Sequence, residues 1–189
     1  MTPILIAPPA VEPVGLDEMK AWLRVDGASE DEVVGALIAS ARLVVESLTR
    51  RVLIAQTWRL AFDAWPHGSV TLPFSPVRSV TIRVYDASGA SSILPPGGYA
   101  LEPYGGDVRL RLSDTPPPPG RAASRVEIDI EVGFAADAGG VPAPLRQAMR
   151  LLVARWYENR GDVEADADMT RTPASIAALV SPYRRVRLA

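Results

Sequence analysis

Val33-Val34-Gly35-Ala36-Leu37-Ile38-Ala39-Ser40-Ala41-Arg42-Leu43-Val44-Val45-Glu46-Ser47-Leu48 decides the fold. Val33, Val34, Leu37, Ile38, Ala41, Val44, Val45 and Leu48 recur at a 3.6-residue spacing, which predicts an amphipathic helix over 30–51 with a wide apolar stripe. Ser29 is its expected N-cap, with Glu32 as capping-box partner. Arg42 and Glu46, one turn apart off the stripe, are spaced as a surface ion pair. So wide a stripe must be covered by other helices or by a sheet, and the flanking sequence supplies both.

Upstream, a shorter helix is predicted over 16–25. Asp17 and Glu18 lie in its first turn, where the helix dipole favours acids, and Met19, Trp22 and Leu23 form its apolar face. Asp26-Gly27 is the expected stop. Residues 1–15, broken by Pro3, Pro8, Pro9 and Pro13, read as an extended arm. Downstream, Pro142 and Pro144 set the start of a helix over 143–160, with Leu145, Ala148, Met149, Leu152 and Trp156 on its buried face.

Between these helices, residues 57–132 change texture to short alternating runs. Trp58–Phe62, Val70–Leu72 and Val80–Tyr85 read as strands, and Gly105-Gly106 between Tyr99–Leu101 and Val108–Leu112 signals a hairpin. Thr115 to Gly120 holds four successive prolines and reads as a stiff loop. Val126-Glu127-Ile128-Asp129-Ile130-Glu131-Val132 alternates most cleanly, placing four β-branched residues on one face and three acids on an expected wet face. The fold class is α+β: a small helical bundle with an inserted antiparallel β-section, sheet or small barrel, and an extended C-terminal tail. The expected organisation is an arm (1–15), a main domain (16–161) and a docking tail (162–189).

Composition excludes more than it assigns. The 189 residues suit one domain plus an excursion, and the formal net charge is −2. There is no cysteine, so neither disulfides nor thiolate chemistry arise, and the single histidine excludes a His-rich metal cage. His67, in Trp65-Pro66-His67-Gly68, reads as an exposed turn residue rather than a general base. The acids Glu158, Asp162, Glu164, Asp166 and Asp168 lack the glycine and terminal glutamate of a calcium loop and read as a solvated connector. No glycine pair matches a phosphate loop, since Lys20 is the only lysine. No apolar run is long enough for a signal core or a membrane helix. Neither enzyme activity, cofactor nor metal is expected, and the protein is expected to be cytosolic where it is made.

The last 19 residues carry Arg171, Arg184, Arg185 and Arg187 and no acid. With Leu179, Tyr183 and Leu188 among them, these residues resemble an interface anchor more than a solubilising tail.

Three ordered stretches carry a family resemblance. The first is Leu16-Asp17-Glu18-Met19-Lys20-Ala21-Trp22-Leu23-Arg24-Val25-Asp26, followed by Asp31-Glu32, Ala41-Arg42 and Thr49-Arg50-Arg51-Val52-Leu53-Ile54-Ala55-Gln56-Thr57-Trp58. The second is Leu72-Pro73 and Pro76-Val77-Arg78-Ser79-Val80, with Tyr85-Asp86, Gly89 and Tyr99 after it. The third is Gly133-Phe134 and Val141-Pro142, leading to Leu145-Arg146-Gln147-Ala148 and Trp156-Tyr157-Glu158-Asn159-Arg160. Together they resemble the head-tail connector, or adaptor, proteins of long-tailed phages and related particles. The preference for arginine over lysine suggests a GC-rich genome, so a gene transfer agent fits as well as a phage.

The resemblance implies a structural subunit of the virion head-tail junction, without catalytic residues. Its implied partners are the portal protein, neighbouring copies in a ring of about a dozen, and a stopper or tail protein, with DNA passing through the lumen without tight binding. Arg171, Leu179, Tyr183, Arg184, Arg185, Arg187 and Leu188 are the residues expected to dock on the portal or a neighbour. The rival reading, a small DNA-binding protein with Leu16–Arg51 as a helix-turn-helix, sits poorly with eight acids against four bases in residues 1–50.

Overall fold

In the computed structural model, which describes residues 2–66, 68–86, 88–113, 125–159 and 172–185, four apolar stripes become helices. They are α1 (Leu16–Leu23), α2 (Asp31–Thr49), α3 (Ala143–Glu158) and α4 (Ala174–Val180). The chain divides into two compact units, one made from the segment ending at Pro8 with Ala55–Gly133, the other from Pro9–Ile54 with Phe134–Arg185.

The helical unit is organised by the α2 stripe. Val34, Ile38, Ala41 and Val45 are buried and share one core with Met19 of α1, Leu145, Ala148, Met149 and Leu152 of α3, and Ile176 and Val180 of α4. Each valine, leucine, isoleucine and methionine among them stabilises by about 1.5–3 kcal/mol through area removed from water. Leu37, Val44 and Leu48 flank that core, whereas Val33 and Trp22, expected on buried faces, are exposed. Leu53 and Ile54 return to the core, where the Phe134 N–H donates to the Leu53 carbonyl at 3.1 Å and Ile54 bridges Ala135.

The helix ends differ from the sequence reading. Ser29 does not cap α2: Glu30 holds the N-cap position, with no side-chain cap bond. α1 stops at Leu23 and α2 at Thr49 because Arg24 (φ 58°) and Arg50 (φ 55°) enter the left-handed region, a role expected of Gly27 for α1.

The β-unit holds two antiparallel sheets. Its strands are β1 (Ile4–Ala7), β2 (Gln56–Phe62), β3 (Ser69–Thr71), β4 (Val77–Tyr85), β5 (Ser91–Ile93), β6 (Tyr99–Tyr104), β7 (Asp107–Leu112) and β8 (Arg125–Val132). The five-stranded sheet runs β1-β2-β8-β4-β5 and the three-stranded one β3-β7-β6. Gly105 and Gly106, both with φ > 0, make the two-residue turn between β6 and β7 that the sequence predicts. β1 lies within the stretch expected as an arm: it is extended, but it is also paired with β2.

Register explains the two faces of the larger sheet. Leu60, Ile128 and Ile82 stand opposite one another across β2, β8 and β4, as do Trp58, Ile130 and Val80, on the apolar face. Trp58 stacks on Phe74 with ring centroids 4.4 Å apart, and the Tyr99 hydroxyl donates to the Val80 carbonyl at 2.9 Å. The opposite face carries Arg59, Asp129 and Thr81 in one row and Ala61, Glu127 and Arg83 in the next. That face is not the wet one expected for the acids of β8. The Glu127 side chain is 1% exposed.

Candidate interaction surfaces

Glu127 is buried because neighbouring strands lay cations over it. Arg59 reaches its carboxylate at 3.0 Å, Arg83 at 3.8 Å, Arg125 pairs with it from β8 itself, and the Tyr85 hydroxyl donates at 3.1 Å. Arg59 also grips Asp129 with two bonds of 2.6 and 2.8 Å, and this contact holds its guanidinium pKa above the ordinary value. At the end of the row Glu131, partly exposed, accepts from Arg78 and the Ser79 hydroxyl, each at 3.0 Å. The three acids therefore tie neighbouring strands together and neutralise the arginines laid over them.

Ion pairs in the helical unit join segments distant in sequence. Lys20 pairs with Asp31, and Arg150 of α3 with Glu18 of α1. The Arg150 contact holds the Glu18 carboxyl below its ordinary value. The Arg42–Glu46 pair, expected at the surface, is largely covered. Arg42 bonds Glu12 at 2.8 Å and Glu46 at 3.2 Å, while Glu46 also accepts the Leu53 N–H at 2.9 Å. Burial pushes the Glu46 carboxyl up.

The tail residues singled out in the sequence separate into two groups. Pro173 precedes α4, which buries Ile176 and Val180, and Leu179 and Tyr183 pack against the same core. Tyr183 meets Phe134 edge to face at 6.4 Å, and its carbonyl accepts from Arg51 at 2.9 Å. The Arg185 N–H donates to the Thr49 carbonyl at 3.0 Å, leaving the residue 8% exposed. Arg184 faces outward. Arg171, Arg187 and Leu188 lie outside the described residues, as do His67, the Pro116–Pro119 loop and the acids from Asp162 to Asp168.

Sequence reasoning missed a second surface, the apolar edge strand β1, whose four side chains are all exposed. The absence of any charged residue before Glu12 was the available signal. Among the described residues no group of three or more His, Cys, Asp or Glu could hold a metal ion, and no helix is long and apolar enough to cross a membrane.

Comparison with known proteins bears on these surfaces. A family model described as phage gp6-like head-tail connector protein matches residues 14–93. Over 100% of this chain and 98% of the other, the fold is similar to a chain in the neck of an empty gene transfer agent particle computed with C6 symmetry, at 30% identity and a TM-score of 0.79. A chain in the virion of a native gene transfer agent particle is 31% identical, with a TM-score of 0.76 and the same coverage. A third, in the neck of a native particle computed with C12 symmetry, is 31% identical over 98% of this chain and 97% of that one, with a TM-score of 0.72. No curated protein sequence matches. The helix-turn-helix reading of Leu16–Arg51 gains nothing from these matches.

Proposed function

This chain belongs to the head-tail connector family, and from that premise we propose that it is an adaptor subunit forming a ring between the portal and the stopper or tail. The observation that carries the reading is likeness over the whole chain, through both units, to neck proteins of gene transfer agent particles. The C12 symmetry of one similar neck supports a ring of twelve copies. Such a ring uses heterologous contacts, one face of a copy meeting a different face of the next. DNA passes through the lumen without tight binding, in keeping with the net charge of −2 and with arginines already committed to Glu127, Asp129 and Glu131. The role is structural, and no reaction is assigned to it.

The portal contact is assigned to the basic end of the chain, where Arg184 is the outward-facing described residue and Arg171, Arg187 and Leu188 extend the set. Leu179, Tyr183 and Arg185 hold that end against the helical core. Deleting 171–189 is therefore a poor probe, because it removes Ile176 and Val180 from the core. Charge reversal is cleaner. Arg184→Glu with Arg187→Glu is expected to cut co-purification with the portal at least about tenfold, the effect of losing roughly 1.4 kcal/mol, while the circular dichroism spectrum stays unchanged. Undiminished portal binding would remove the tail from the interface. For the function as a whole, loss of the gene is expected to leave filled heads without tails. Intact particles lacking the protein at the neck would refute the connector reading.

A further inference from the structure

Among the described residues, the five-stranded sheet ends on β1 and β5, with no further strand paired beyond either. A strand edge offers unpaired N–H and C=O groups, and proteins commonly guard it with charge. Neither edge here is so guarded: residues 2–11 and 88–93 contain no charged side chain. Ile4, Leu5 and Ile6 are 52%, 43% and 46% exposed, and Ile93 is 63% exposed. Pro3 and Pro8, which have no N–H to donate, confine pairing on one edge to the four residues Ile4–Ala7, and the other edge is three residues long.

Register adds a second correspondence. Ile4 stands opposite Arg59, which stands opposite Asp129, while Ile93 stands opposite Arg83, which stands opposite Glu127. Asp129 and Glu127 are two residues apart on β8, so Ile4 and Ile93 project from the same face at its two ends. Each neighbouring pair in the sheet is antiparallel, so the two outermost of five strands run in the same sense.

We infer that β1 of one copy pairs in parallel with β5 of the next, joining the larger sheets of adjacent copies and bringing Ile4 of one beside Ile93 of the other. This rests on the ring reading above and names the surfaces by which neighbours meet. The occupant is a second copy because one sheet carries both halves of the contact, each short, uncharged and bearing an apolar side chain on the same face. Rotation about a ring axis offers unlike edges to each other in the same sense, as the pairing requires.

The cysteine-free sequence makes the test clean. Ile4→Cys and Ile93→Cys are introduced together, and assembled necks are treated with a short thiol–thiol cross-linker. Within one chain the two positions lie at opposite edges, about 19 Å apart at four strand spacings, beyond the reach of such a link. A ladder of covalent multimers is expected from the double variant, and monomer alone from either single variant. Monomer alone from the double variant, in necks that electron microscopy shows to be complete, overturns the edge pairing and leaves the ring intact. Dimers from Ile4→Cys alone indicate a two-fold β1–β1 contact and also overturn it. Necks without a ring of this chain overturn the ring reading and this pairing together. A second measurement avoids cross-linking. Leu5→Lys with Ser92→Lys should lose incorporation into necks at least about tenfold, and Leu5→Lys with Ser92→Glu should recover it. Equal incorporation of both pairs would refute the contact.

Discussion

The helical unit and the β-unit solve the same problem with different materials. In the helical unit one apolar core receives side chains from α1, α2, α3 and α4, and the ion pairs Lys20–Asp31, Arg42–Glu12 and Arg150–Glu18 pin segments at its margin. In the β-unit the central strand β8 is apolar on one side and anchored by arginines on the other, with Glu127 fully covered. The helical unit is thus specified mainly by volume, and the larger sheet by volume and charge together. Backbone strain is distributed unequally as well. Among the described residues, every positive φ of the β-unit falls on glycine, whereas the helical unit assigns two to Arg24 and Arg50.

The largest effect should come from the helical core. Ile38→Ala or Met149→Ala should lower stability by about 2–5 kcal/mol in urea denaturation, through lost transfer energy and a residual cavity. A loss under about 1 kcal/mol would mean that volume does not govern this unit. On the charged face the buried acid should match that effect. Glu127→Ala leaves Arg59, Arg83 and Arg125 without their shared carboxylate and should cost about 3–5 kcal/mol. Glu131→Ala, partly exposed, should cost less than about 1 kcal/mol. Equal losses at the two positions would erase the distinction between buried and peripheral acids.

Much of this comparison was legible in the residues. The 3.6-residue spacing from Val33 to Leu48 and from Leu145 to Trp156 located the helices, and the alternation of Val126–Val132 located the central strand. Glu127 was misread because alternation shows which residues share a face but not what stands across from them. Only the register that sets Arg83 opposite Glu127 reveals the covering charge. β1 and β5 were missed because exposed edge strands of three and four residues carry no alternation, and β1 finds its partner more than fifty residues away. The ends of α1 and α2 were misplaced because arginine is a poor signal for a left-handed cap. The tail set was half legible. Of the residues expected to dock, Leu179 and Tyr183 pack against the chain's own core and Arg184 is exposed, a division that charge and apolarity alone do not reveal.

Smaller effects sharpen the contrast further. Arg24→Gly and Arg50→Gly should each stabilise the helical unit by about 0.5–1 kcal/mol by relieving the left-handed strain of a side-chain-bearing residue. Gly106→Ala in the β-unit should cost about 1 kcal/mol for the converse reason. Thermal denaturation of the three variants checks both signs together.

Two carboxylates of the helical unit should respond oppositely to pH. The raised Glu46 contributes stability that is complete below its ordinary value of 4.5 and is lost as pH rises through the raised value. The lowered Glu18 contributes stability that is present above 4.5 and is lost as pH falls through the lowered value. Between pH 4 and pH 7, the melting temperature of Glu46→Gln should therefore rise relative to the parent, and that of Glu18→Gln should fall. The two differences should carry opposite signs, and parallel shifts would show that these two sites are not what sets the acid response.

The close approach of Leu53–Ile54 to Phe134–Ala135 has an evolutionary consequence. The backbone leaves the helical unit and resumes it at adjoining points, so the intervening segment can lengthen, shorten or be exchanged without moving either attachment. Selection can therefore remodel the β-unit as a graft, constrained chiefly by the need to keep a place for the N-terminal strand beside β2. The helical unit, assembled from both sides of the graft, is the part such a lineage has to inherit whole.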